Sequence, residues 1–223
     1  MHEFEAWNRP WLRELGIKTI LDIGAYTGQF FLLMKKVFPE ADVYCFEPLR
    51  ESFEVVDQKV SRFQGSRAFN TAVGENQGTV SFYRNDFSAA SSVLPLSEEH
   101  RQLISEAGSY PEALNETQTT VSIDRLDEIC KTADIKIKSN LLIKIDVQGF
   151  EDKVVLGGQE TFAQAKVVVS EVSFFEAYAG QVLFDGMYSL MRNMGFVFKG
   201  FIAEQHSTLD DVLLQADAIF VRE

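Results

Sequence analysis

Short apolar runs alternate with helix-like stretches along most of this chain, and that alternation is the strongest constraint on its fold. Five such runs are "TILDI" (19–23), "DVYCF" (42–46), "RAFNTAV" (67–73), "NLLIKIDV" (140–147) and "KVVVSEVS" (166–173). Between them lie "GQFFLLMKKVF" (28–38), ended by Pro39, and "LRESFEVVDQKVSRF" (49–63), which sets Phe53, Val56 and Val60 on one helical face. A helix after 151 is weakened or interrupted at Gly157 and Gly158, and another over 185–195 ends at Gly195. Strands buried on both faces by crossover helices read as near-continuous apolar runs, so the pattern predicts an α/β fold with a parallel sheet. The chain closes on "FVFKGFI" and "LLQADAIFVR", which read as an antiparallel pair.

The alternation breaks once. After the extra strand "GTVSFYR" (78–84), residues 85–117 are polar and irregular, and "TTVSID" (119–124) returns to strand. A loop this long inside a compact domain is usually functional or mobile. We expect an insertion that folds over a site, with a helical turn near "SEEHRQLISEAG" and few apolar anchors. No repeat and no linker divides the chain, so residues 1–223 are expected to form one domain.

Composition narrows the partners. The formal net charge is −12, and no Lys/Arg cluster offsets it, which argues against duplex nucleic acid. No run approaches the ~20 apolar residues of a membrane span. "MHEFEAWNRPWL" is acidic and aromatic, unlike a secretory signal. Cys45 sits in an apolar run as a small hydrophobe, and with Cys130 it fits a reducing cytoplasm. The three histidines, His2, His100 and His206, are scattered without metal-ligand spacing, so no metal site is expected beyond a carboxylate-only magnesium site.

The chemistry-bearing residues stand at strand ends. "LDIGAYTGQF" carries Asp22, Gly24 and Gly28, a strand-to-helix turn that lacks the G-x-G-x-x-G of dinucleotide folds. An acid there repels a pyrophosphate but suits a cofactor with a cationic amine or sulfonium, such as S-adenosylmethionine. The same turn also serves as a junction without ligand. Glu47, at the end of the second strand, is placed to accept hydrogen bonds from ribose hydroxyls. Asp146 ends the fourth strand and points toward the cofactor's reactive end; Glu171 lies near the end of the fifth. His206 falls in the turn between the last two strands, where a lone histidine is more often structural. Ser91 and Ser92 in "SAASSV" are positioned to face the cofactor or to form an ordinary loop. Lys144, flanked by apolar residues, pairs with an acid, and Glu151 favours a helix N-terminus.

In these motifs the sequence resembles the FkbM family of S-adenosylmethionine-dependent methyltransferases, from about residue 19 to residue 222. The resemblance runs through "LDIGAYTGQF", "CFEP", "TAVGENQGTVSFY", "SSV", "SIDRLDEI", "IKIDVQGFE", "VVSEVSFFEAY", "MRNMGFVF" and "ADAIFVRE". Tyr26 stands where that family commonly has Asn. The resemblance implies a Rossmann-like, seven-stranded, mostly parallel sheet with a reversed last strand. It also implies a cofactor site with Asp22, Gly24 and Gly28 on the methionine side and Glu47 on the ribose, and with Ala25, Tyr26 and Pro48 among its residues. Ala72 and Val73 then lie near the adenine, with Ser92 and Asp146 completing the site. The implied reaction is O-methylation of a hydroxyl on a sugar or natural product. A base aids such a nucleophile; the order of candidates is Asp146, Glu171, His206. Alternatives are N-methylation of a small-molecule amine, a cofactor-binding protein without transfer activity and, behind these, an NAD-dependent dehydrogenase.

Overall fold

A computed structural model describes residues 2–86, 88–108 and 111–223. Two short helices, α1 (His2–Trp7) and α2 (Pro10–Glu14), were not evident from periodicity; α2 starts on a proline, whose fixed φ suits a first helical turn. The expected alternation follows as β1 (Thr19–Ile23), α3 (Gln29–Val37), β2 (Asp42–Phe46) and α4 (Arg50–Val60).

The third expected strand, 67–73, is divided into β3 (Arg67–Phe69) and β4 (Ala72–Val73). Asn70 causes the break: its Nδ2 donates to the carbonyls of Glu47 and Pro48, both at 2.9 Å, and turns the chain off the edge of β2. β4 then joins a second sheet with β5 (Gly78–Asn85) and β6 (Glu116–Asp124) in the order β4-β6-β5. The inserted segment is more ordered than its composition suggested. It contains a 3-10 turn at Ser88–Ala90, helix α5 (Glu98–Ala107) and a second 3-10 turn at Pro111–Leu114. Ser97 caps α5 by accepting from His100 N at 3.0 Å, and Leu96, Ile104 and Ala113 bury themselves against Ala177 and Tyr178. Phe87, Ser109 and Tyr110 of this span, and Met1, lie outside the described residues.

The remainder comprises α6 (Leu126–Thr132), β7 (Leu141–Ile145), α7 (Glu151–Gly157), α8 (Gln159–Ala163), β8 (Ala165–Ser173), α9 (Phe184–Asn193), β9 (Val197–His206) and β10 (Leu213–Val221). The glycine pair 157–158 separates α7 from α8, as expected. The main sheet has the order β3-β2-β1-β7-β8-β10-β9, with β10 antiparallel to both neighbours. This is the expected seven-stranded, mostly parallel sheet, and its reversed strand is the last in sequence. Even-numbered β1 and β7 residues such as Ile20 and Leu142 pack on one face with Phe31, Met34 and Val56. Odd-numbered ones such as Leu21 and Ile143 pack on the other with Val154, Phe162 and Met191. The chain winds outward from β1 to β3 and returns to place β7 on the other flank of β1. The sheet order therefore reverses between β1 and β7, and a crevice opens there at the strand carboxyl ends.

Candidate functional site

The β1–α3 turn forms one wall of that crevice. Gly24 N and Ala25 N both donate to Phe46 O at 3.0 Å, tying the turn to the end of β2. Gly24 has φ +83°, and a Cβ on it would come within 1.7 Å of Asp146 O. Only glycine lets the two strand exits approach this closely. Gly28 serves helix packing instead, since a side chain there would meet Val56 of α4, and it does not line the crevice.

Glu47 joins the two turns. Its Oε2 accepts from Tyr26 N and its Oε1 from Leu49 N, both at 2.9 Å. A carboxylate has about four lone-pair sites, so each oxygen retains one for a ligand. Burial, only partly offset by those two amides, lifts its pKa to about 7.

The crevice has a cavity volume of about 190 Å³ and opens to solvent. Of the residues expected in a cofactor site, Gly24, Tyr26, Glu47, Pro48, Ala72, Val73 and Asp146 line it; Asp22, Ala25, Gly28 and Ser92 do not. Ser92 supports the wall from behind, donating to Gln148 O at 2.6 Å, while Ser91 lines the crevice directly. Phe82 and Phe150 complete the apolar wall and were not anticipated, although the alternation of Val80 and Phe82 in β5 carried the signal.

Behind the glycine turn lies Asp22, with no exposed surface. Its Oδ1 has no hydrogen-bond partner among the described residues, and its Oδ2 is 3.8 Å from the Cys45 thiol. Burial raises its pKa to about 6; Lys144 opposes that rise and Asp146 adds to it. Lys144 is paired with an acid, as expected, with its Nζ 2.8 Å from Asp146 Oδ2. Burial works against its charge, but Asp146, Asp22 and Asp217 outweigh that and hold the ammonium protonated. Burial likewise works against the Asp146 carboxylate, yet Lys144 and Gln148 hold its pKa below the usual range.

Glu171 lies beyond, across from Asp217 in the β8–β10 register. Gln148 bridges the two candidate bases: its Nε2 donates to Asp146 Oδ1 at 2.7 Å and to Glu171 Oε2 at 3.0 Å. Burial, then Asp146, Glu151 and Asp217, push the Glu171 carboxyl well above its ordinary pKa. Gln148 has φ +58°, a conformation that costs a non-glycine residue about 1–3 kcal/mol and clusters at functional sites. Glu151 does more than favour a helix dipole. It is buried, and its Oε1 accepts from Val147 N at 3.0 Å and Gly149 N at 3.2 Å, fixing the loop that carries Gln148.

His206 is not brought to this cluster. It is the last residue of β9 instead of part of the turn, and its Nδ1 meets Asp211 O at 2.9 Å. Its Nε2 lies 3.3 Å from Glu204, and it does not line the crevice.

A family model described as the Methyltransferase FkbM domain matches residues 22–198. The 2-O-methyltransferase NoeI of Sinorhizobium fredii (strain NBRC 101917 / NGR234) is 28% identical over 178 residues, which cover 80% of this chain and 72% of that protein. Methyltransferase sdnD of Sordaria araneosa is 28% identical over 158 residues, covering 63% of this chain and 60% of that protein. The crystal structure of Methyltransferase FkbM from Methylobacillus flagellatus KT superposes with a TM-score of 0.53 at 13% identity, covering 92% of this chain and 44% of that one. At that identity the superposition speaks to the fold alone.

Proposed function

The chain belongs to the FkbM methyltransferase family, and on that premise we propose that it moves the methyl group of S-adenosylmethionine to a hydroxyl of a sugar or other natural product. We read residues 1–223 as one methyltransferase domain, with the segment 85–117 as a cover over the site. O-methylation draws support from NoeI, named a 2-O-methyltransferase.

The observation that carries the cofactor reading is Glu47: it stands on the crevice wall with a lone pair left on each oxygen, which suits the two ribose hydroxyls. Asp22, sealed behind the glycine turn, acts through its charge, which favours a cationic amino acid moiety in the crevice. Phe46, Phe82 and Phe150 provide the apolar surfaces that an adenine ring requires. A pyrophosphate fits poorly beside two acids.

Bound S-adenosylmethionine supplies a methyl group on sulfonium sulfur, open to in-line attack by an oxygen nucleophile. The chain's own residues hold, orient and deprotonate. Asp146, kept ionised by Lys144, is a weak base but a fixed negative charge on the crevice wall. Glu171, whose burial and acidic neighbours raise its proton affinity, is the stronger proton acceptor of the two when ionised. Asp146 thus becomes an orienting group and Glu171 the base, reversing the order expected from the sequence.

Calorimetric titration with S-adenosylhomocysteine and, separately, with NAD tests the cofactor. Transfer of isotopically labelled methyl to a panel of glycosides tests the reaction. Saturable binding of S-adenosylhomocysteine without NAD binding is the expected result. The opposite pattern would refute the reading.

A further inference from the structure

Gln148 makes more contacts than a wall residue needs. Its carboxamide sits between two carboxylates of different strands, and its other end meets Tyr178. The Tyr178 hydroxyl donates to Gln148 Oε1 at 2.7 Å and shares its proton with Ala90 O at 3.0 Å. The Gln148 carbonyl accepts from Ser92 Oγ. Side chain and backbone are thus both held, by Tyr178 and by Ser92.

An amide can be turned end for end, so the orientation needs a cause. Two causes act together. Asp146 is ionised beside Lys144, and turning the amide would set Oε1 against that carboxylate at 2.7 Å, oxygen to oxygen. At the far end stands a phenol that keeps its proton, because burial ahead of the Glu171, Glu151 and Asp146 charges pushes its pKa well up. It therefore offers an O–H to Oε1. The nitrogen end is left facing the two carboxylates, and its two hydrogens serve one each.

We infer that Gln148, itself on the crevice wall, is a positioning residue for Glu171 behind it: by donating to Glu171 Oε2 it fixes that carboxyl and stabilises its ionised form, with Tyr178 as the anchor that holds the amide in place. The value of this to catalysis rests on the methyltransferase reading above; the geometry itself does not. The donation matters because the surroundings of Glu171 are hostile to its charge. Asp146 acts on it from just past the end of β7, Glu151 from α7 and Asp217 from β10, and Glu204 of β9 lines with Glu171 a small cavity apart from the crevice. Lys144 is the one cation that acts on it among these groups, and its ammonium is engaged by Asp146. Gln215 of β10 donates to the same Oε2 at 3.2 Å, so Gln148 supplies the shorter of two neutral donors. Gly149, at φ +96°, allows the tyrosine to approach: a Cβ there would lie 2.9 Å from Tyr178 Cβ.

The test reads proton affinity directly and needs neither acceptor nor cofactor. Carboxyl carbons are labelled with 13C in glutamate, the Glu171 resonance is assigned by its loss in Glu171→Gln, and the cofactor-free protein is titrated by NMR. Gln148→Leu removes the amide. Gln148→Asn tolerates the left-handed backbone but is one methylene too short to bridge, so it covers the case in which the leucine variant fails to fold. Both should raise the Glu171 midpoint by about one pH unit, roughly a tenfold gain in proton affinity, the scale of one lost hydrogen bond to a charged group. The Glu47 midpoint should stay in place as an internal control. An unmoved or lowered Glu171 midpoint overturns the inference, as does an equal shift of Glu47, which would mark a general loosening of the crevice. Because the protein is titrated without cofactor, failure here leaves the S-adenosylhomocysteine result untouched, and failure of that binding leaves this one readable.

Discussion

Asp22 should act against the stability of the protein that it equips for binding. In an unfolded chain its carboxyl titrates at 3.8, and burial, only partly offset by Lys144, raises this to about 6 in the fold. The folded state then binds the proton more tightly, so this group's contribution is most favourable at low pH and declines as pH rises from 3.8 to about 6. At roughly 1.4 kcal/mol per pH unit, ionised Asp22 costs the cofactor-free protein about 3 kcal/mol at neutral pH. Asp22→Asn removes that charge but leaves a buried amide N–H without an acceptor, a cost of about 1–3 kcal/mol. At neutral pH the two effects leave anything from no change to a gain of about 2 kcal/mol. The pH dependence isolates the charge, since the amide cost does not titrate. Relative to the parent, the variant should improve by about 2 kcal/mol between about pH 4.5 and about pH 7. Urea unfolding at a series of pH values, extrapolated to water, measures this difference, and taking the difference cancels the titrations of Glu151 and Glu171, on which Asp22 does not act. The same variant should bind S-adenosylhomocysteine more weakly, since the charge that favours its amino group is gone. A folded variant whose stability difference is flat across that pH range would refute the argument that Asp22 carries an uncompensated buried charge.

Three further outcomes are expected. Glu47→Ala should weaken S-adenosylhomocysteine binding by about 1.5–3 kcal/mol, the range for hydrogen bonds to a charged group, and calorimetry on a folded variant reads this directly. Once an acceptor is in hand, Glu171→Gln should lower turnover roughly 10²–10⁴-fold with cofactor affinity retained, whereas Asp146→Asn should lose cofactor affinity and recover part of its rate at excess cofactor; the reverse split would return the base role to Asp146. Backbone amides of 88–93 should gain protection from hydrogen exchange when S-adenosylhomocysteine is bound, and equal protection in both states would argue that the segment is a fixed wall and not a cover.

The sequence alone was enough to read β1, β2, β7 and β8, because strands sandwiched between helices bury both faces and leave unbroken apolar runs such as "LLIKI". The acids in or just after these runs, Asp22, Glu47, Asp146 and Glu171, stood out for the same reason: a charge within or beside an apolar strand departs from its pattern. Local pattern could not show what depends on which strands lie side by side. Residues 67–73 have the composition of one strand, yet an Asn70 side chain reaching the end of β2 splits them between two sheets. Asp146 and Glu171 are 25 residues apart, and only the adjacency of β7 and β8 lets one carboxamide touch both. The pKa order of those two acids follows from the Lys144 ammonium, the Asp217 carboxylate and the depth of burial, all of which are properties of the packed sheet. His206 shows the same limit from the other side: its sequence position near a strand end suited a catalytic histidine, but β9 is the outer strand of the sheet and carries it to solvent. Period and composition are local quantities, whereas the electrostatics of a site are set by neighbours that only the tertiary fold brings together.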